Sequence, residues 1–196
     1  MNAADIKAQW RRQMRERLRQ VPAAERFEAS AAVVKLVRAQ AGWRQAAGVL
    51  LYSALPDELD LSALLQAALA EGKRVGLPAY DAGAGQYAVR EVWDLEKGWV
   101  AGRYGIREPG PENPKISLKL LDLAMVPALG FNQNGVRLGR GAGYYDRLLA
   151  GFTGRKWGVG YAWQVGLEFP GEPQDVAMEA VATPLGLQMF GAAGTT

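Results

Sequence analysis

The sequence predicts an α/β fold, an open and mostly parallel sheet flanked by helices. Three observations carry that expectation. Short apolar runs such as Val49-Leu50-Leu51-Tyr52 and Leu121 to Val126 have the length and the bounding turn residues of buried strands. Segments of helical period separate them, and strand–helix alternation favours a parallel sheet with helices on its faces. The 196 residues are 49% hydrophobic and 22% charged, enough for one sizeable core, and contain no repeat and no linker that demands a second domain.

In chain order, Trp10, Met14 and Leu18 recur every four residues and mark one stripe of a first helix. Lys7, Arg11 and Arg15 share that spacing and form a second, basic stripe beside it. Val21-Pro22 breaks the helix, and Pro22 suits the first turn of a second one over about 22–41, with Phe27, Val34, Val37 and Ala41 on its apolar side. The strand at 49–52 leads into Asp57-Glu58-Leu59-Asp60 and a helix over 60–71, with Asp60 as its cap and Gly72 just past its end. Residues 73–77 give a second strand ending at Pro78, and 86–93 a third. Gly98 to Pro114, with four glycines and three prolines, reads as loop. Leu121 to Val126 is a strand closed by Pro127, and 156–161 is another. Ala180–Thr183 and Leu187–Phe190 add edge strands.

The composition excludes whole classes of chemistry. With no Cys there is no thiolate metal site or thiol nucleophile, and with no His there is no imidazole base or Ser-His-Asp triad. Catalysis must rest on carboxylates, Lys, Arg, Tyr, backbone N–H groups or a bound ion. No apolar run approaches the ~18 residues of a membrane-spanning helix, and the N-terminus lacks the pattern of a secretory or organelle signal. A cytoplasmic location is the expectation. The net charge of +3 is uneven: residues 1–44 hold 10 Lys/Arg against 4 Asp/Glu, and the remainder 13 against 16. Composition alone favours a solvated basic helix face over an anion site. The acidic remainder argues against a broad nucleic-acid footprint.

The densest segment is RLGRGAGYYD at 137–146. Gly139, Gly141 and Gly143 allow successive N–H groups to turn inward as an anion nest, the helix starting at Tyr144 adds positive potential, and Arg137 and Arg140 supply forked donors. The spacing is neither GxxxxGK[ST] nor GxGxxG. Phosphate is the natural guest, with Asp146 as a plausible magnesium carboxylate or, alternatively, a helix-capping or Arg-pairing one. Glu58 lies in a loop after the first strand, where α/β sheets form their ligand crevice.

Five segments together resemble the 5-formyltetrahydrofolate cyclo-ligase family: KAQWR at 7–11, YSALPDE at 52–58, YGIREP at 104–109, Val126-Pro127 followed by FNQNGVRLGRGAGYYD at 131–146, and Pro170, Glu172 and Asp175. The 126–146 stretch is the specific one, and the resemblance covers nearly the whole chain. It implies a single cyclo-ligase domain over 1–196, with N-terminal basic helices over about 3–41, and a sheet similar to those of sugar-phosphate isomerases and CoA transferases. The implied reaction is the ATP-dependent conversion of 5-formyltetrahydrofolate to 5,10-methenyltetrahydrofolate with magnesium, a ligase step in one-carbon metabolism. The implied ATP contacts are Lys7, Arg11, Arg137, Gly139, Arg140, Gly141, Gly143, Tyr144 and Tyr145. The implied folate contacts are Glu58, Ser53, Tyr104, Arg140, Gly141, Gly143 and Tyr144, and the magnesium carboxylates are Asp146 and Asp175. ATP and the folate are the implied partners, with no nucleic acid, membrane or obligate protein partner. Gln174 stands where many members carry His, Ser53 where many carry an apolar residue, and Gln86-Tyr87, on a pocket wall, where Met is frequent. Two other readings stay open on residues alone: an ATP-independent phosphosugar or CoA-ester enzyme, and a nucleic-acid module using the basic helix.

Overall fold

A computed structural model describes residues 2–191. The chain opens with α1 (Ala3–Gln20), α2 (Ala23–Ala39) and the short α3 (Ala41–Gln45). It continues through β1 (Gly48–Leu50), α4 (Ser62–Ala70), β2 (Arg74–Asp81), β3 (Gln86–Val92) and a hairpin of β4 (Trp99–Ala101) with β5 (Arg107–Pro109). Then come β6 (Leu123–Pro127), β7 (Gly130–Asn132), β8 (Arg137–Leu138), α5 (Tyr144–Leu149) and β9 (Arg155–Val159). The last strands are β10 (Val165–Leu167), β11 (Ala180–Thr183) and β12 (Gly186–Met189).

Seven strands form the central sheet in the order β12-β11-β9-β6-β1-β2-β3. The five inner strands are parallel, and only β3 and β12 run against their neighbours. The expected mostly parallel sheet is therefore present. Parallel strands are covered on both faces, and alternate residues of β1 divide accordingly. Val49 packs with Met14, Leu18, Val33, Val37 and Leu64 of the helices, while Leu50 packs with Phe131, Leu149 and Phe152 on the opposite face. Asp122 fixes the start of β1 by accepting from the N–H groups of Ala47 and Gly48 at 2.8 and 2.9 Å.

The structure corrects several sequence expectations. Phe27 is not on the buried side of α2 but 76% exposed, and Ala41 is exposed and lies in α3. The small residues Ala29 and Ser30, with Val33 and Val37, form the packed face instead, because close approach to β11 favours little side-chain volume. The second strand does not stop at Pro78 but runs to Asp81. Gly76 still accepts from Leu51 of the neighbouring segment, and Pro78 faces the same way beyond the end of β1, where no ladder partner needs its missing N–H. Residues 98–114 contain a hairpin, with Trp99 opposite Pro109 and Ala101 opposite Arg107. β11 is an inner strand, and β12 alone is the edge there. The strand ending at Pro127 does not pass directly into the glycine loop. A small sheet, β10-β7-β8, intervenes, and Arg137 lies on its strand β8.

Candidate active site

A cleft of about 1090 Å³ opens at the C-terminal ends of β1, β2 and β6. This is where an open parallel sheet leaves room for a ligand, because the loops leaving its strands diverge. Tyr52, Ser53, Asp57 and Glu58 enter from the segment after β1. Tyr80 and Tyr87 come from the β2–β3 pair, Arg103, Tyr104 and Glu108 from the hairpin, and Arg137, Gly139, Arg140, Gly143, Tyr144 and Tyr145 from β8, the glycine loop and α5.

The glycine loop needs its glycines for backbone reasons at two positions. Gly141 has φ +112° and Gly143 φ +61°, and Gly143 makes the left-handed entry into α5. α5 has only six residues, so its N-terminal potential is weaker than the sequence suggested, and the anion-binding capacity rests on the arginines and loop amides. Helix α1 braces this loop. Arg11 Nε donates to the carbonyl of Gly139 at 3.0 Å, and Arg15 donates to the carbonyl of Arg140 at 2.7 Å. The basic stripe is thus neither merely solvated nor an open anion patch; two of its arginines hold loop backbone.

Arg137 is buried, with its guanidinium 5.4 Å from the Tyr145 ring centre and Nη2 2.8 Å from Asp146 Oδ1. The two charges are close but not aligned as a hydrogen bond, and both Arg137 Nε and Asp146 Oδ1 are buried without one. Across the cleft, Arg140 Nη2 donates to Asp57 Oδ1 at 2.5 Å and to Glu58 Oε1 at 3.2 Å, with Nε 3.3 Å from the same Glu58 oxygen. Burial disfavours the charge of Arg140, but Asp57 and Glu58 outweigh it and raise its pKa. Glu58 also accepts from the N–H of Leu55 at 3.1 Å. Burial lifts the Glu58 carboxyl above its ordinary range in spite of Arg140.

One wall is aromatic. Tyr80, Tyr87, Tyr144 and Tyr145 follow one another with ring centres 5.3, 4.2 and 4.9 Å apart. Burial, with Glu108 nearby, pushes the Tyr87 hydroxyl up to about 12, and burial pushes those of Tyr144 and Tyr145 further still. All three are neutral phenols at ordinary pH. The Tyr144 hydroxyl is buried with no hydrogen-bond partner.

Ser53, Glu58, Tyr104, Arg137, Gly139, Arg140, Gly143, Tyr144 and Tyr145 line this one cleft. Lys7, Arg11, Gly141, Asp146 and Asp175 are not on its walls. Arg11 stands behind the loop. Lys7 is 3% exposed and its Nζ lies 2.6 Å from both Glu172 and Asp175. Burial works against its charge, yet the two carboxylates raise its pKa. Tyr80 and Arg103 carry no signal in the sequence; Arg15 is visible there only through the basic stripe, Asp57 only as the neighbour of Glu58 after the first strand, and Tyr87 only as a departure from the family pattern.

Magnesium is held by one or two carboxylates completed by waters and phosphate oxygens. Asp146 pairs with Arg137, the alternative its position also allowed, but its buried Oδ1 makes no aligned hydrogen bond and fits such a ligand as a carboxylate shared with that guanidinium. Asp175 carries Lys7 and accepts from the N–H of Glu172, so its oxygen Oδ2 is already shared. Among the described residues no three acidic side chains converge.

A sequence profile of the 5-formyltetrahydrofolate cyclo-ligase family matches residues 3–184. The 5-formyltetrahydrofolate cyclo-ligase of Mycolicibacterium smegmatis is 38% identical over 141 residues, which cover 69% of this chain and 73% of that protein. The Escherichia coli protein of the same name is 31% identical over 140 residues, covering 69% and 77%. The solved structure of Aquifex aeolicus 5,10-methenyltetrahydrofolate synthetase superposes with a TM-score of 0.85 at 27% identity, over 97% of this chain and 96% of that one.

Proposed function

The chain belongs to the 5-formyltetrahydrofolate cyclo-ligase family, and from that premise we propose how its cleft carries out the reaction. The chemistry is the ATP-dependent cyclisation of 5-formyltetrahydrofolate to 5,10-methenyltetrahydrofolate. The observation that carries the assignment to this cleft is the meeting of two unlike walls. An arginine-flanked glycine loop suits a triphosphate, and it adjoins a row of tyrosines beside a buried carboxylate, which suits a flat ring with N–H donors.

In the proposed mechanism, Glu58 accepts N–H groups of the folate ring while Tyr87 and Tyr144 offer it stacking surface, with Ser53 and Tyr104 at the margins. Arg137, Arg140 and the amides of Gly139, Gly141 and Gly143 hold the phosphates, braced from behind by Arg11. The formyl oxygen attacks the γ-phosphorus; the new O–P bond forms as the bond to ADP breaks. N10 then attacks the activated carbon, its C–N bond forms, the C–O bond breaks and phosphate leaves, with the N10 proton passing to the departing phosphate or to water. Phosphoryl transfer asks for positioning and charge neutralisation, which arginines and oriented amides supply, so the absence of His is no obstacle. Tyr144 and Tyr145 hold their own protons too firmly to act as bases for N10.

Asp146 would hold magnesium, whose chemical contribution is to neutralise charge on the transferring phosphoryl group. Asp175 would add a second carboxylate through the oxygen that Lys7 leaves open, while Lys7 stays paired with Glu172. Among the described residues no helix is long and apolar enough to cross a membrane, and we place the enzyme in the cytoplasm. The test is to mix protein, 5-formyltetrahydrofolate, ATP and magnesium and follow methenyl absorbance. Growth of the signal that stops when ATP is omitted supports the reading; no signal from folded protein overturns it.

A further inference from the structure

The groups assigned above to the two substrates satisfy each other in this structure. Arg140, a phosphate ligand, and Glu58, a folate ligand, are paired across the cleft. Their bonds are unequal with those to Asp57. Charge-assisted N–H···O bonds are shortest and strongest at about 2.7–2.9 Å. Arg140 is held tightly by Asp57 at 2.5 Å and loosely by Glu58 at 3.2 and 3.3 Å. The Glu58 pair is therefore the separable one, and Asp57 is a pivot. The backbone of Arg140 is fixed independently by Arg15. Its side chain can thus change partner without moving the loop.

Resting on the cyclo-ligase reading, we infer that Arg140 couples the two substrate sites, and that Asp57 is the positioning residue that keeps it between them. A folate N–H that takes Glu58 Oε1 deprives two Arg140 donors of their acceptor. Arg140 is then left with Asp57 alone as acceptor, and its freed donors, in a cleft only one-third open to water at this side chain, turn to the nearest anion, the nucleotide phosphate. Folate thus tightens nucleotide binding, and by linkage nucleotide tightens folate binding by the same factor. Without folate, Glu58 competes with phosphate for Arg140. ATP bound alone therefore lacks one of its ligands, which restrains wasteful hydrolysis.

The test is calorimetric titration with a non-hydrolysable ATP analogue and magnesium, with and without saturating 5-formyltetrahydrofolate. In the parent protein the folate is expected to tighten the analogue by about fivefold or more, the lower end of ordinary coupling; a smaller effect overturns the inference. In Glu58→Gln the analogue should bind more tightly without folate, and the folate effect should shrink. A folate effect of parental size in that variant also overturns it. In Asp57→Asn the ternary complex should bind the analogue more weakly than in the parent. Equal affinity removes the positioning role. Turnover of the parent protein separates the two readings: methenyl formation without coupling contradicts this inference alone.

Discussion

Arg137 Nη2 lies 2.8 Å from Asp146 Oδ1, yet neither Asp146 Oδ1 nor Arg137 Nε has a hydrogen bond. A buried carboxylate oxygen placed this way is paired with a guanidinium without an aligned hydrogen bond, and a cation arriving with the phosphates would share it with Arg137. Asp146→Ala should lower turnover by about 10²–10³-fold, the scale for losing one electrostatic stabiliser of a transition state. Half-saturation in magnesium should rise in the same variant. Steady-state assays across magnesium concentration check both, and near-normal turnover removes Asp146 from the metal site.

Lys7 ties α1 to the segment carrying Glu172 and Asp175. Lys7→Met strands two carboxylates, one of them 38% exposed and able to recover water. The expected loss is about 2 kcal/mol of stability, below the ~3–5 of a fully buried pair. Because the folded pKa of Lys7 lies above its ordinary 10.5, its contribution is complete below that value and fades as pH rises through the raised one. Denaturant unfolding at pH 8 and above pH 10.5 should show the gap between parent and variant narrowing at the alkaline end. A constant gap contradicts the ion-pair account.

Glu58 is the group whose titration should be visible in folate binding. Its carboxyl sits above the ordinary 4.5, first through burial, so the ionised acceptor is lost at a higher pH than for an exposed glutamate. Affinity for 5-formyltetrahydrofolate should fall as pH drops through that raised value. Glu58→Gln should bind more weakly at pH 7.5 and lack the acid-side decline. Fluorescence titrations from pH 4.5 to 8 distinguish the two.

Tyr87 stands 4.2 Å from Tyr144 by ring centre and is neutral at assay pH. Tyr87→Ala removes stacking area worth about 0.5–1.5 kcal/mol. The folate KM should rise by roughly two- to twelvefold while the ATP KM moves little, whereas Tyr87→Phe should stay near the parent. A larger effect on ATP than on folate places the folate elsewhere.

The legible parts of this site were those written in consecutive residues. Residues 137–146 announce an anion loop because glycines and arginines act through local backbone and short reach. Glu58 could be placed because strand ends open into crevices. Tyr80 could not, and Tyr87 only as a departure from the family pattern, since the antiparallel register of β2 with β3, which sets Tyr80 opposite Tyr87, is what builds their wall. Arg15 was visible as a charge but not as a brace, because its partner is a carbonyl 125 residues away. Phe27 was misplaced for a related reason. Its period suits a buried stripe, but the tight packing of Ala29 and Val33 against the sheet turned the helix the other way. The hairpin at 99–109 escaped notice because three-residue strands carry too little alternation to stand out among glycines and prolines.

The reaction turns on one atom, the formyl oxygen, as the nucleophile toward the γ-phosphorus. The direct measurement uses 5-formyltetrahydrofolate carrying ¹⁸O in the formyl group, ATP and magnesium, with mass analysis of the phosphate released. One ¹⁸O per phosphate, matched to each methenyl product, is the predicted result. Phosphate free of the label, with methenyl product formed, would contradict it.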